Sequence, residues 1–336
     1  MLNNIYITGF LSISGDNFEN LSTINNKRKH LENTSISFKN PKYSELLNNE
    51  GISSTSKYSI IATMELLDKI KLNNKMGKKG GLVFGSEFGC INEQIMYSME
   101  YRANGIFGID PVLFTKTTAN APAGLAAIES NLQGINLSMV GDLMSSINAI
   151  GYSLDYLKHS DDLEFIICGG YDFYSPFLID IQHSRKINHS FLDRISLIAL
   201  EKESLICERN IVPPLATITG YKIAKITNEN DRNTFFDNFF NQIQSSPSEI
   251  TNVILCCEKN ESSVNEEICF LKNQFNKANI INLPTIMGWS GSTMLPLSIC
   301  YVLHNKDIFD ESKKIIIMLS DIKGNIGLMA IQPKVI

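Results

Sequence analysis

Residues 134–151 read GINLSMVGDLMSSINAIG, and the rest of the chain is arranged around this stretch. Its apolar residues 137–140 predict a short strand, residues 141–144 a sharp turn, and the run from Ser145 onward a helix. In α/β enzymes such an elbow, here residues 141–146, holds one side chain at the tip of the turn, facing a pocket and the positive end of the helix. The residue at the tip is Leu143, which neither attacks nor titrates. The stretch therefore predicts the frame of an active site without its nucleophile.

The overall composition is that of an ordinary globular protein. Of 336 residues, 43% are hydrophobic and 19% are charged, which is ample material for a core. The net charge of -5 argues against a nucleic-acid partner, because such proteins usually carry a basic stripe. No apolar run approaches the roughly 20 residues that span a bilayer, and the N-terminus lacks the features of a signal peptide. We expect a soluble, cytoplasmic protein without a nucleic-acid or membrane partner.

The seven cysteines point to structural roles. They form no CxxC pair and have no nearby histidine at ligand spacing, so we expect no metal, no redox motif and no cofactor. Their odd number and mostly apolar surroundings indicate buried thiols that stay reduced in a cytosol.

Apolar strands flanked by helices predict an α/β protein with largely buried sheets. We expect strands at residues 4–10, 81–84, 137–140, 163–168, 195–200, 215–225, 251–257, 280–283, 314–319 and 326–332. We expect helices at residues 58–72, 93–102, 145–157, 233–243, 265–275 and 294–303, and in the second part of 107–128. Residues 16–55 (apart from a short helix near 43–47), residues 171–190 and the charged segment after residue 200 read as loops. The similar rhythm of residues 1–190 and 191–336 suggests an internal duplication into two halves.

Several motifs, taken in order, resemble those of one family. Residues 81–90, GLVFGSEFGC, resemble the GVVxGTGxGG turn of the β-ketoacyl synthases, and residues 134–151 resemble their GPNxTVxTACASSxxAIG elbow. Residues 284–299, PTIMGWSGSTMLPLSI, resemble KSxxGHxxGAAG, and residues 324–331, GNIGLMAI, resemble the closing glycine-rich motif. The resemblance implies an α/β, thiolase-like fold, in which two duplicated βαβαβ-type halves form a five-layer αβαβα sandwich.

The chemistry of this family uses a cysteine nucleophile and two histidines that help expel carbon dioxide and stabilise an enolate. By motif position, the cysteine falls on Leu143, the first histidine at or near Cys256, the second on Trp289, and a supporting lysine on Pro284. None of these residues supplies the required acid–base chemistry, so the resemblance implies that condensation is lost. No histidine of the chain occupies a motif position, and we expect surface or structural roles for all five: His30, His159, His183, His189 and His304.

The family forms obligate dimers, in which the strand beside the elbow pairs across the two-fold axis. The resemblance therefore implies a role like that of the chain-length factor of type II polyketide synthases, an inert subunit that dimerises with an active ketosynthase making aromatic polyketides or polyenes. Asp142 agrees with the chain-length-factor pattern, whereas Leu143 replaces its glutamine, so we expect no malonyl decarboxylation. The acyl carrier protein should dock mainly on the active partner. The interface candidates are Asn136, Leu137, Ser138, Met139 and Val140.

Residues 109–128 resemble a further passage of the family, which crosses the interface and helps to line the partner's acyl tunnel. We expect Leu113, Phe114 and Thr118 to be gate residues that limit the length of the growing chain by steric fit. Overpacking of a well-fitted cavity costs about 1–3 kcal/mol, which is enough to bias termination about tenfold. The alternative is that Phe114 packs in the core of its own chain.

Two other classes of function stay open. The same fold could act as an acyltransferase or hydrolase with a different nucleophile, for which Ser145 and Cys256 are the candidates. Against this, Ser145 has the character of a helix N-cap, and Cys256 lies in an apolar strand, where a thiol should be inert. The last class is a binding module that carries a lipid or acyl chain on its own.

Overall fold

The computed structural model describes residues 4–14, 41–72, 74–185, 187, 189–305, 309 and 313–334. His30 and most of the predicted loop at residues 16–55 lie outside these residues. The strands are β1 (Ile5–Ser14), β2 (Gly80–Ser86), β3 (Asn136–Val140), β4 (Phe165–Asp172), β5 (Arg194–Lys202), β6 (Ala216–Lys225), β7 (Asn252–Cys257), β8 (Asn279–Asn282), β9 (Ile315–Ser320) and β10 (Asn325–Pro333). The helices are α1 (Ser44–Asn48), α2 (Ser54–Lys69), α3 (Ile91–Asn104), α4 (Pro111–Lys116), α5 (Ala121–Glu129), α6 (Ser145–His159), α7 (Pro176–Ser184), α8 (Glu203–Arg209), α9 (Glu229–Ile243), α10 (Glu261–Gln274), α11 (Pro284–Met287) and α12 (Met294–His304).

The two halves of the chain share one strand order, which confirms the predicted duplication. The first half runs β3-β2-β4-β5-β1 across its sheet, and the second runs β8-β7-β9-β10-β6, so each half has the order 3-2-4-5-1. In both halves the first three strands of this order are parallel and the next two pairings are antiparallel. A single bridge between Ile7 and Ala216 joins the two sheets edge to edge. β3 and β8 therefore form the two outer edges.

Helices fill the space between the sheets and cover their outer faces. α6 and α12 lie in the middle layer, where their apolar side chains pack into one core cluster with the inner faces of both sheets. α2 and α5 cover the outer face of the first sheet, and α9 and α10 cover that of the second. The five layers are those of the predicted thiolase-like αβαβα sandwich, which is confirmed.

The structure corrects three details of the sequence prediction. Residues 171–190 contain helix α7, because Pro176 stands in its first turn, where a missing N–H is tolerated, and the Ser175 side chain accepts a hydrogen bond from the Leu178 amide. The charged segment after residue 200 begins with helix α8. β5 pairs with β1 and β4, so the seam between the repeats lies between Lys202 and Ala216 rather than after residue 190. That the two halves are separate domains stays a prediction.

In the described part of the chain, no helix combines the length and apolarity that a membrane crossing requires.

Candidate functional site

The elbow after β3 is a turn closed by its own backbone and by Asp142. The Asp142 carboxylate accepts the Met144 amide at 2.8 Å, and the Asp142 carbonyl accepts the Ser145 amide at 3.0 Å. The start of α6 lies so close to β2 that a Cβ on Gly85 would stand 2.5 Å from the Ser145 backbone. This geometry presses Leu143 into the core between the sheets, where it is 1% exposed. The tip of the elbow therefore contributes packing and no reactive group.

Ser145 does not cap the helix, so that expectation is wrong. It is the first residue of α6, and Met144 occupies the N-cap position without a side-chain hydrogen bond. The Ser145 hydroxyl instead accepts the Asp142 amide at 3.1 Å. The Asp142 carboxylate already accepts the Met144 amide. The Ser145 hydroxyl therefore stabilises the turn by accepting the Asp142 amide.

The four positions carried over from the family lie inside the molecule. Leu143, Cys256 and Trp289 belong to the core cluster between the sheets, and Pro284 is buried at the start of α11. Burial raises the pKa of the Cys256 thiol to about 12, and its sulfur lies 3.3 Å from the Ser298 hydroxyl. A thiol with this pKa is protonated and unreactive at neutral pH. That these four residues are degenerate catalytic positions stays a prediction. None of the four presents a reactive nucleophile in the structure.

Acidic side chains that the sequence analysis did not single out converge beside the elbow. Glu87 follows β2, Asp172 ends β4, and Glu258 follows β7, and these three form what we call the acidic cluster. Each carboxylate comes from a different strand end, and Glu87 interacts electrostatically with both of the others. Asp142 adds its charge near Glu87, and Asp321, which follows β9, adds its charge near Glu258.

Asp172 is the structural centre of the acidic cluster. One of its oxygens accepts hydrogen bonds from the Ser86 hydroxyl and from the amides of Glu87 and Phe88, and the other accepts the amide and hydroxyl of Ser292. Because Ser292 belongs to the second repeat, Asp172 ties the two repeats together. Ser146 of α6 also donates to the Ser292 carbonyl. Burial raises the pKa of Asp172 to about 6, although the hydroxyls of Ser86 and Ser292 and the amides of Phe88 and Glu87 favour its charged form.

Glu258 and Glu87 are much less well satisfied. Glu258 is buried, and among the described residues its carboxylate accepts a single long hydrogen bond, 3.4 Å, from the Ile322 amide. Burial raises its pKa to about 7, and the charge of Asp321 adds to the shift while Arg185 and Lys323 oppose it. Burial also raises the pKa of Glu87, and Glu258 and Asp172 raise it further. Both pKa shifts favour the protonated carboxyl groups, because burial and the neighbouring carboxylates disfavour further negative charge.

The raised pKa of Glu258 predicts that the protein loses stability as the pH rises from about 4.5 to 7. Over this range the folded state keeps a proton that the unfolded state releases, so the free energy of unfolding falls with pH, by up to about 3 kcal/mol for this group. Urea unfolding between pH 5 and 8 should show a shallower decline for Glu258→Gln than for the native chain. Glu266→Gln, at an exposed position of α10, is the matched control and should keep the native slope. Equal slopes for the native chain and Glu258→Gln would contradict the prediction.

Three aromatic residues line the inner side of the site. The Tyr174 hydroxyl lies among Glu87, Asp172 and Glu258, which together with burial raise its pKa well above the usual value. The His189 ring stacks on the Trp289 indole, with ring centroids 5.0 Å apart, and burial lowers its pKa. His189 occupies no motif position, and its stacking on Trp289 is consistent with the structural role expected from the sequence. His189 contacts the motif residue Trp289 because Leu192 and Ser190 hydrogen-bond the Trp289 backbone and draw their segment against it.

β3 leaves one side of the first sheet open. It pairs with β2 on one side only, and its residues are half-buried or exposed. The neighbouring segment from α3 to α4 exposes large apolar side chains, including Phe107, which is fully exposed. The apolar residues of what we call the edge face are Met96, Met99, Tyr101, Ile106, Phe107, Val112, Phe114 and Val140. Large apolar side chains exposed along one segment are typical of an interaction site.

The three expected gate residues do not share one environment. Leu113 is buried in its own chain, at 6% exposure, whereas Phe114 is 58% exposed and its ring lies 5.9 Å from that of Tyr97. Thr118 is exposed and donates to the Thr115 carbonyl. Of the three, only Phe114 and Thr118 offer side chains to a partner. Their role at an interface stays a prediction.

The fold is the thiolase-like sandwich of the ketosynthases, and the tip of its elbow holds Leu143. No protein-family model and no curated protein matches the sequence. Three solved structures are similar over nearly the whole chain. The ishigamide ketosynthase/chain length factor superposes with a TM-score of 0.78 at 15% identity, covering 98% of this chain and 99% of that one.

The second is a type II polyketide synthase acyl-carrier protein in complex with its ketosynthase bound to the hexaketide, with a TM-score of 0.73, 19% identity, and coverage of 98% and 99%. The third is a β-ketoacyl synthase from Burkholderia phymatum STM815, with a TM-score of 0.77, 10% identity, and coverage of 99% and 100%. At these identities the similarity establishes the fold.

Proposed function

We propose that this chain is a non-catalytic subunit that pairs with an active ketosynthase, in the manner of a chain-length factor. The observation that carries the proposal is the elbow, whose strand, turn and helix are intact while Leu143 fills the nucleophile position from inside the core. An elbow that lacks its nucleophile cannot hold an acyl group. The strand, turn and helix of the elbow still have a function if the adjoining strand β3 forms part of an interface.

The open edge of β3 and the edge face support the pairing. An unpaired edge strand beside exposed apolar side chains is a template for a partner strand. One similar structure is described as a ketosynthase/chain length factor and another as a complex of ketosynthase and acyl-carrier protein. In our proposal the partner supplies the cysteine and histidines and receives the acyl carrier protein, and the two subunits assemble in the cytoplasm.

Co-expression with a ketosynthase encoded by a neighbouring gene tests the proposal. We expect a stable one-to-one complex that elongates a carrier-bound acyl chain, and no such activity from either chain alone. Mass spectrometry after incubation with an acyl thioester should find the acyl group on the partner only. A well-behaved monomer that becomes acylated on Ser145 or Cys256 would overturn the proposal in favour of an acyltransferase or hydrolase.

Within such a complex, Phe114 is expected to influence product length. Its exposed ring would stand at the partner's tunnel, so Phe114→Ala should lengthen the main product by at least one two-carbon unit and Phe114→Trp should shorten it. The steric cost of about 1–3 kcal/mol per unit that no longer fits corresponds to at least a several-fold change in product ratio. Leu113→Ala is the contrasting variant, because Leu113 is buried in its own chain and its loss should lower stability instead. Unchanged product lengths in both Phe114 variants would contradict the gate role.

A further inference from the structure

The two sheets leave a gap where they meet. β1 and β6 are joined by the single bridge between Ile7 and Ala216. Beyond this bridge, residues 4–6 of β1 and residues 217–219 of β6 do not pair with each other, and together with the end of α6 they line a cavity of about 600 Å³, which we call the seam cavity. None of its described lining residues belongs to β3, the edge face or the acidic cluster.

The strand edges that face the gap carry open backbone groups. The Asn4 carbonyl accepts an amide from the chain just after β5. Because the backbone groups of successive strand residues point to opposite sides, Ile5 directs its N–H and C=O to the seam. On β6, the Leu215 carbonyl accepts the Lys334 amide from the β10 side, and the same alternation directs the backbone of Ile218 to the seam. Two N–H donors therefore face the gap without a partner strand.

The side chains that line the seam cavity combine a basic rim with an apolar floor. Lys158 and His159 come from the last turn of α6, and Lys334 follows β10. Ile5 and Leu154 belong to the core cluster between the sheets and supply the apolar floor. Among the described lining residues none is acidic. The cavity thus offers positive charge and apolar surface within one space.

The carboxylates near the rim leave this charge largely available. Glu203 accepts two hydrogen bonds from the side chains of β1. Asp155 accepts a tyrosine hydroxyl and lies 3.7 Å from Lys158, and both members of this pair are more than half exposed, so the pair is weak. The Lys334 ammonium group lies over the Tyr6 ring, 5.0 Å from its centroid, and has no ion pair within the described part of the chain.

These features match one class of ligand. Ligand pockets are typically apolar, with a few polar groups that fix the orientation of the ligand, and basic groups in a concave site attract anions. The open carbonyls of Ile5 and Ile218 disfavour a doubly charged group such as phosphate. We propose that the seam cavity binds a small organic carboxylate with a short alkyl chain. The carboxylate is held by Lys158 and Lys334, and the chain lies against the apolar floor. This site does not depend on a ketosynthase partner.

The probe that tests the seam cavity is sodium hexanoate, titrated into the purified chain at pH 7.5 and constant ionic strength. We expect saturable binding by calorimetry, with a dissociation constant of about 1 mM, and a parallel rise in melting temperature. Hexanamide keeps the alkyl chain without the charge, and acetate keeps the charge without the chain, so each should bind at least about tenfold more weakly. Equal binding of hexanamide and hexanoate, tighter binding of inorganic phosphate, or no saturable binding would overturn the proposal.

Two variants and one spectroscopic signal locate the binding. Lys158→Met and Lys334→Met each remove one cation while keeping a long side chain, so each should weaken hexanoate binding about tenfold or more. Lys272→Met changes an exposed lysine of α10 and should bind like the native chain. The ring-proton NMR signals of His159, identified by their loss in His159→Gln, should shift along the same binding curve. Unshifted His159 signals, or native-like binding by both Lys158→Met and Lys334→Met with melting curves that show them folded, would overturn the assignment to this cavity.

Discussion

Replacement of Asp172 by alanine is expected to lower the free energy of unfolding by about 3–5 kcal/mol. The carboxylate accepts five hydrogen bonds in the interior, three of them from the backbone amides of Glu87, Phe88 and Ser292. The two serine hydroxyls can rotate toward other acceptors, but the amides are fixed by the fold. Each amide left buried without a partner costs about 1–3 kcal/mol. Urea or thermal unfolding of the purified variant measures the loss.

The comparison with other variants separates hydrogen bonding from charge. Asp172→Asn keeps one carbonyl oxygen and introduces an amide donor, so it should lose about 1–3 kcal/mol. Asp193→Ala removes a single 2.6 Å bond from the Tyr174 amide and is the matched control, with a loss of about 1–2 kcal/mol. If Asp172→Ala proved no more damaging than Asp193→Ala, Asp172 would not be the tie between the repeats that we describe.

The elbow and the duplication could be predicted because their signals are local. Glycines, the apolar run of β3 and the polar start of α6 follow one another within residues 134–151. Residues 171–190 are predicted as a loop because Pro176 is taken as a break in regular structure. Proline in a first helical turn is nevertheless compatible with a helix, here α7. The seam between the repeats was misplaced because only strand pairing shows that β5 belongs with β1 and β4.

The acidic cluster could not be predicted in the same way. Glu87, Asp172 and Glu258 are far apart in the chain. The pairing of β2 with β4 brings Glu87 and Asp172 together, and the packing of the second repeat against the first adds Glu258. One signal was available, because side chains alternate along a strand and Glu258 points to the same side as Cys256. By motif position, the first histidine of the family falls at or near Cys256, which is enclosed in the core. Glu258, two residues further along the chain, belongs to the acidic cluster. Which residue faces a site depends on where the strand ends.

Replacement of Ser138 by proline is expected to weaken association with the ketosynthase partner at least about 100-fold, while the chain stays folded. The Leu82 amide donates to the Ile135 carbonyl, and Leu82 stands opposite Asn136. In a parallel pair, bonding alternates along the strand, so Leu137 and Met139 bond to β2 and Ser138 directs its N–H to the open edge. Proline at this position removes the donor offered to a partner strand and leaves the ladder with β2 intact.

Ser138→Ala is the control for this variant. The Ser138 hydroxyl has no hydrogen-bond partner among the described residues, so its removal should change neither stability nor association. Association is measured by sedimentation or surface-binding assays on the purified subunits, and circular dichroism checks the fold. Because the proline acts on one backbone N–H, retained association in Ser138→Pro would mean that the partner does not extend the sheet through β3. The edge face, which includes the exposed Phe107 and Phe114, would then have to bind the partner through side chains alone.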